Sequence, residues 1–180
     1  GSMGIQDKAR HLCTLYLEDL SDFIIENIDE NFGFSRYAER LGRSAHTFDE
    51  LYENLSQENS YIDQVTIELL SQSIELYSPK MVGFSVPFPG NLYSAFKCAQ
   101  WLKKNHPEIK ITMGGGFPNT ELRSVSDPRV FEFFDFITLD DGEAPILLLT
   151  QWLEGKIDDE ELKRTLSLNK EQQVIYHNSS

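Results

Sequence analysis

From Asp7 to about Asp29, apolar residues recur at Ala9, Leu12, Cys13, Tyr16, Leu17, Leu20, Phe23, Ile24 and Ile28, with no glycine or proline between them. This three-and-four spacing predicts one long amphipathic helix. Gly33 closes the segment. A short helical piece over Ser35 to Leu41 is expected to stop at Gly42, because glycine takes the left-handed backbone past a helix end. Thr47 and Glu50 make the Thr-x-x-Glu capping pattern ahead of Phe48, Leu51, Tyr52 and Leu55. Ser60 is the expected cap of a further helix over 61–77. Its inward face would be Ile62, Val65, Leu69, Leu70, Ile74 and Tyr77, and Pro79 lies past its end. Residues 4–78 therefore read as an all-helical region.

Beyond Pro79 the pattern changes to short β-rich apolar runs, Met81–Val86, Ile109–Met113 and Phe136–Leu139, alternating with amphipathic helices. Such alternation is the signature of a parallel sheet covered on its faces. The first intervening helix, Asn91 to Asn105, carries Leu92, Ala95, Phe96, Ala99 and Leu102 on one side and stops at His106-Pro107. Asp127-Pro128 opens a second over Arg129 to Phe134, and Ala144-Pro145 a third that ends at Gly155. Residues 158–164 read as a short charged helix, and Thr165–Leu168 with Gln173–Tyr176, around Asn169-Lys170, as a small hairpin. The expected fold class is α/β, with a Rossmann-like parallel sheet over residues 79–157 between the helical region and the 158–180 segment. Three parallel strands are few for such a sheet, so further strands are expected upstream. Gly1-Ser2-Met3 reads as the remnant of a cleaved tag.

The 180 residues carry 16 Lys+Arg against 29 Asp+Glu, a formal charge of −13, most of it before Pro79. Neither half has the clustered positive field that a phosphate backbone or an anionic lipid surface needs, so nucleic acid and membrane are not expected partners. No apolar run approaches the length of a membrane span and no leader pattern opens the chain, so a cytoplasmic setting is expected. Cys13 and Cys98 stand 85 positions apart on predicted helices and read as reduced, buried thiols.

Ligands of open α/β sheets lie outside the carboxyl ends of the strands. The loops leaving the three runs are Ser85-Val86-Pro87-Phe88-Pro89-Gly90-Asn91, Gly114-Gly115-Gly116-Phe117-Pro118-Asn119-Thr120 and Asp140-Asp141-Gly142-Glu143. Three glycines at a strand end let backbone approach a bulky ligand closely. A tight turn would need the same freedom. Phe88, Phe117 and Pro118 read as a surface for a flat ring system or for a second domain.

The Ser85-Val86-Pro87 triplet is followed by 26 residues before Gly114-Gly115. In this the sequence resembles cobalamin-binding domains, which carry a Ser-x-Leu triplet, a similar interval and Gly-Gly; here Pro87 replaces the leucine. Residues 82–155 resemble more closely the amino-terminal cobalamin domain of radical S-adenosylmethionine (radical SAM) enzymes. The shared features are a strand, a Ser-containing loop, a helix with a Lys-rich end, Gly-Gly, Phe134-Asp135 before a strand, an acidic Gly-Glu loop and a closing Leu-Glu-Gly. The resemblance implies a cobalamin site lined by Ser85, Val86, Pro87, Phe88, Gly114, Gly115, Gly116, Phe117, Asp141, Gly142 and Glu143. It implies no catalytic residue on this chain.

The Asp-x-His-x-x-Gly motif that supplies a lower-face histidine in many cobalamin domains is missing, and none of His11, His46, His106 or His177 has its setting. Cobalamin is therefore expected to bind without a histidine ligand. Two cysteines cannot hold a four-iron four-sulfur cluster. That cluster and S-adenosylmethionine are expected on a radical SAM barrel carboxy-terminal to residue 180, the partner of this domain. Two alternatives remain open. One is a protein-interaction domain of the same fold without cofactor. The other is a Mg2+ or phosphate binder using Asp140, Asp141 and Glu143, although the same glutamate would also favour the start of a following helix.

Overall fold

The computed structural model describes residues 4–34, 38–43 and 48–178. They form α1 (Ile5–Asn27), α2 (Glu39–Arg43), α3 (Phe48–Leu55), α4 (Tyr61–Tyr77), β1 (Met81–Ser85), α5 (Leu92–Asn105), β2 (Lys110–Gly114), α6 (Gly116–Glu121), β3 (Phe136–Thr138), α7 (Glu143–Leu153), β4 (Thr165–Leu168) and β5 (Val174–His177). Single 3-10 turns cover Pro89–Asn91, Pro128–Glu132 and Asp159–Glu161. The fold is mixed α/β, built on one five-stranded sheet in the order β1-β2-β3-β4-β5.

The sheet is parallel at its start and antiparallel at its end. Ser85 pairs with Gly114 and Thr112 with Phe136 in the parallel part, while Ile137 pairs with Leu166, and Leu166 with Tyr176, in the antiparallel part. The sequence treats the last two strands as a feature separate from the sheet. In the structure β4 adds directly to β3 and lengthens the sheet. The central strands read as apolar runs because both of their faces are covered. Ile111, Thr112 and Met113 of β2 and all three residues of β3 are buried. Side chains alternate across a strand, so Ile137 enters the large core under α5 while neighbouring Phe136 enters a smaller cluster with Leu149 and Leu162. An aromatic group fills the larger core: the Phe96 ring centroid lies 4.9 Å from Phe134 and 5.1 Å from Phe133, each edge to face.

Ser60 caps α4 as expected. Its hydroxyl accepts from the Asp63 N–H at 3.1 Å, and the Asp63 carboxylate accepts from the Ser60 N–H at 3.1 Å. The helix ends at Ser78, in left-handed backbone, one residue before Pro79. Its inward face differs from the expected one. Asp63 and Ile74 are buried and Ile62 and Leu70 half-buried, but Val65, Leu69 and Tyr77 are exposed. The turn about the helix axis follows a polar anchor that apolar counting ignores. Asp63 accepts from the Tyr93 hydroxyl at 3.2 Å and lies 4.0 Å from the Lys97 ammonium. Lys97, itself buried on α5, donates to the carbonyls of Leu55 (3.3 Å) and Gln57 (3.2 Å) and to Asn59 Oδ1 (3.1 Å). One ammonium thus ties the α3–α4 connection to α5.

Other expectations change for equally local reasons. Gly42 lies inside α2, where an added Cβ would run into the Pro89 carbonyl, so close approach accounts for the glycine better than helix termination. The Thr47 cap and the start of the Ser35–Leu41 piece lie outside the described residues. Residues 158–164 hold only the 3-10 turn, capped reciprocally by Asp158 and Glu161. Cys98 is buried, and burial pushes its thiol up to about 11, whereas Cys13 is exposed on α1.

His177 on β5 shares a 2.8 Å hydrogen bond with the Ser167 hydroxyl of β4. Burial holds its imidazole below the ordinary 6.5, with Asp159 opposing the shift. Between those two values the unfolded chain binds a proton that the folded chain refuses, so stability falls as pH drops below about 6.5. Urea unfolding at pH 7 and pH 5 should show that fall, and a smaller one in His177→Gln. Equal losses in both proteins would remove His177 as the cause.

Candidate functional site

The ends of β1 and β2 lie side by side, Ser85 opposite Gly114. The Val86 N–H extends the ladder by donating to the Gly114 carbonyl at 2.7 Å, and the Phe117 N–H then donates to the Val86 carbonyl at 3.0 Å. With that second bond the chain enters α6, a helix where the sequence reading expected only loop. An added Cβ on Gly114 would overlap the Thr138 hydroxyl. One on Gly115 would lie 2.9 Å from both Val86 N and O, and one on Gly116 3.0 Å from the Pro87 carbonyl. Gly115 also has a φ of +107°. The side-chain-free space at the triplet is therefore filled by this chain's own backbone and the Thr138 hydroxyl.

The end of β3 is tied to the same cluster. Asp140 has a φ of +62°. Its N–H donates to Asn119 Oδ1 at 2.8 Å, and Asn119 Nδ2 returns a bond to its carbonyl at 3.2 Å. The Arg123 guanidinium donates to Asn119 Oδ1 at 2.7 Å and to the Asp140 carboxylate. Arg164, arriving ahead of β4, places its guanidinium 3.5 Å from Asp140 and 3.5 Å from Asp141. Both arginines escaped the sequence reading. They lie outside the glycine-rich and acidic loops, and no motif marks them. After Gly142, which has a φ of +78° and nothing within 4 Å of an added Cβ, Glu143 opens α7, where the helix dipole favours a carboxylate.

All three loops thus meet at one sheet edge, joined in order through Val86, Gly114, Asn119 and Asp140. Ser85, Pro87, Phe88, Gly115, Gly116, Asp141 and Glu143 are exposed, and Gly114 and Gly142 half-buried. Val86 and Phe117 belong to the core, and Pro118 is buried beside them. Phe117 and Pro118 are therefore no part of an exposed ring-stacking or docking surface. Phe88, 70% exposed, is the aromatic side chain these loops present.

Asp140 and Asp141 face guanidinium groups. Among the described residues no three His, Cys, Asp or Glu side chains come together as a metal-binding group. A hollow of about 510 Å3 lies at the opposite end of the sheet, lined in part by Pro79, Lys80, His106 and Glu108, and touches none of the three loops.

Fold and loops together define a mixed α/β domain with an exposed loop cluster at the carboxyl ends of its parallel strands. No known protein family, curated protein or solved structure matches the chain. Among the described residues no helix is long and apolar enough to cross a membrane.

Proposed function

We propose that this chain is a cobalamin-binding domain with a Rossmann-like sheet, the cytoplasmic accessory domain of a larger radical SAM enzyme, and that it holds the corrinoid without a histidine beneath the cobalt. The observation that carries the reading is the pairing of Ser85 with Gly114. It sets the two halves of the Ser-x-x and Gly-Gly motif at one edge, with the acidic Gly142-Glu143 loop joined to them through Asn119. The exposed part of that edge carries groups of the kind that a large, flat, amide-bearing ligand takes up. It offers the Ser85 hydroxyl, the Phe88 ring and the peptide groups of Gly115 and Gly116, while the buried Val86 and Phe117 hold these in place.

Bound cobalamin supplies the cobalt-centred chemistry, and the residues of this chain bind and orient it. The four-iron four-sulfur cluster and S-adenosylmethionine belong in this proposal to the partner barrel. The exposure of Phe88 favours one second reading, a surface that docks another protein without cofactor.

Visible-absorption titration with hydroxocobalamin, with circular dichroism as the control for folding, separates the two. Saturable binding is expected, with a spectrum shifted toward the form lacking a lower nitrogen ligand. Phe88→Ala should weaken it roughly fivefold, about 1 kcal/mol, with unchanged circular dichroism. Folded protein without a spectral shift would count against a self-sufficient cobalamin site and favour the docking surface.

A further inference from the structure

No residue of α1 is buried; Leu12, Tyr16, Leu17 and Phe23 on it, and Ile28 just past its end, are 48–69% exposed. Apolar side chains thus recur along a helix of 23 residues, about 35 Å long, a continuous stripe of the kind that marks an interaction surface. Apart from Asp7 in the first turn, the charges of α1 run against its own dipole. Asp7, Lys8 and Arg10 lie in the first half, a net charge of +1, while Glu18, Asp19, Asp22 and Glu26 lie in the second, and the last turn has no basic residue. A helix dipole favours the reverse order.

We propose that α1 is a self-association helix that pairs antiparallel with α1 of a second copy of this chain. The antiparallel arrangement sets each acidic half beside the partner's positive helix end, where Lys8 and Arg10 outweigh Asp7. A parallel pair would crowd the two acidic halves together. The exposed stripe of α4, with Tyr61, Val65, Leu69 and Leu76, is a poorer mate, because α4 carries Asp63, Glu68 and Glu75 and no basic residue. A two-fold pair uses one patch twice, and a stripe this long approaches the roughly 800 Å2 per partner of a stable interface.

Sedimentation velocity on the full chain at about 50 µM is expected to show a dimer whose dissociation constant rises at least tenfold in Leu17→Asp. Thermal unfolding of that variant should match the parent once dissociation is allowed for, since Leu17 is exposed in the monomer. Orientation is read by mixing Ala9→Cys and Phe23→Cys proteins, both also Cys13→Ser, with a short bis-maleimide. Antiparallel pairing joins position 9 to position 23 and leaves like positions roughly 20 Å apart. A monomer at this concentration, a dimer indifferent to Leu17→Asp, or 9-to-9 and 23-to-23 products would each overturn the proposal.

Discussion

Gly115→Val is expected to lower the melting temperature by roughly 10 °C, as an effect on the fold itself. Gly115 sits at φ +107°, and its missing Cβ would lie 2.9 Å from both the nitrogen and the oxygen of Val86. The backbone conformation alone, φ +107° with ψ −171°, costs a residue with a side chain about 1–3 kcal/mol, and forcing a buried contact apart adds about 1–3 kcal/mol. At this chain length each kcal/mol moves the midpoint by roughly 2–4 °C. Relief of the contact requires Val86 to move, and Val86 holds both the Gly114 carbonyl and the Phe117 N–H. Gly142→Ala provides the comparison: its φ is +78°, but the added carbon meets nothing within 4 Å. It should lose only the conformational part, about 1 kcal/mol. Thermal melts of the two variants followed by circular dichroism make the check, and a Gly115→Val midpoint within two degrees or so of the parent would contradict the packing account. Loss of corrinoid in Gly115→Val would therefore say little about the proposed cobalamin site. Phe88→Ala is the cleaner probe.

Lys97→Ala should cost about 3–5 kcal/mol, the usual penalty for removing one member of a buried charged pair. Its ammonium satisfies the Leu55 and Gln57 carbonyls and Asn59 Oδ1, and it faces Asp63, which with Ser60 also caps α4. Without it, these acceptors and a carboxylate are left in a site with little access to water. Lys97→Met keeps most of the volume and should lose less, because only the polar part is then missing. Burial holds the Lys97 ammonium below its ordinary 10.5, with Asp63 opposing. Between the lowered value and 10.5 the unfolded chain binds more protons than the folded one, so this group's contribution to stability rises with pH there. The difference in unfolding free energy between parent and Lys97→Met should therefore widen from pH 8 to pH 10. Urea titrations at the two values measure it, and a constant difference would show that Lys97 titrates alike in both states.

Much of the fold is legible in the sequence because it rests on local rules. The Ser60 cap, the stop before Pro79 and the α5 boundary at His106-Pro107 each depend on groups a few residues apart. The apolar runs of β2 and β3 are readable because strands covered on both faces carry apolar residues on both. Contacts between distant segments are less legible. The α4 face is set by Asp63 reaching Tyr93 and Lys97, 30 or more positions away. A Gly-Phe-Pro opening disguises α6, which forms because the Phe117 N–H finds the Val86 carbonyl across the loop.

The candidate site divides in the same way. Strand-end loops rich in glycine and acidic residues can be found from the sequence alone, since their composition reports turns and close approaches. Whether an absent Cβ leaves room for a ligand or for the chain itself is decided by what packs against it. At Gly114, Gly115 and Gly116 the tertiary structure places Thr138, Val86 and Pro87 there. It also buries Phe117, leaves Phe88 outside and brings Arg123 and Arg164 onto Asp140. By itself, then, the sequence determined the order of the strands and of the longer helices and the edge of the sheet where the loops gather, but not α6 or the 3-10 turns at Pro128–Glu132 and Asp159–Glu161. Which faces of those elements meet, and which loop residues stay open to a ligand, were decided by contacts between residues far apart in the chain, which no local periodicity encodes.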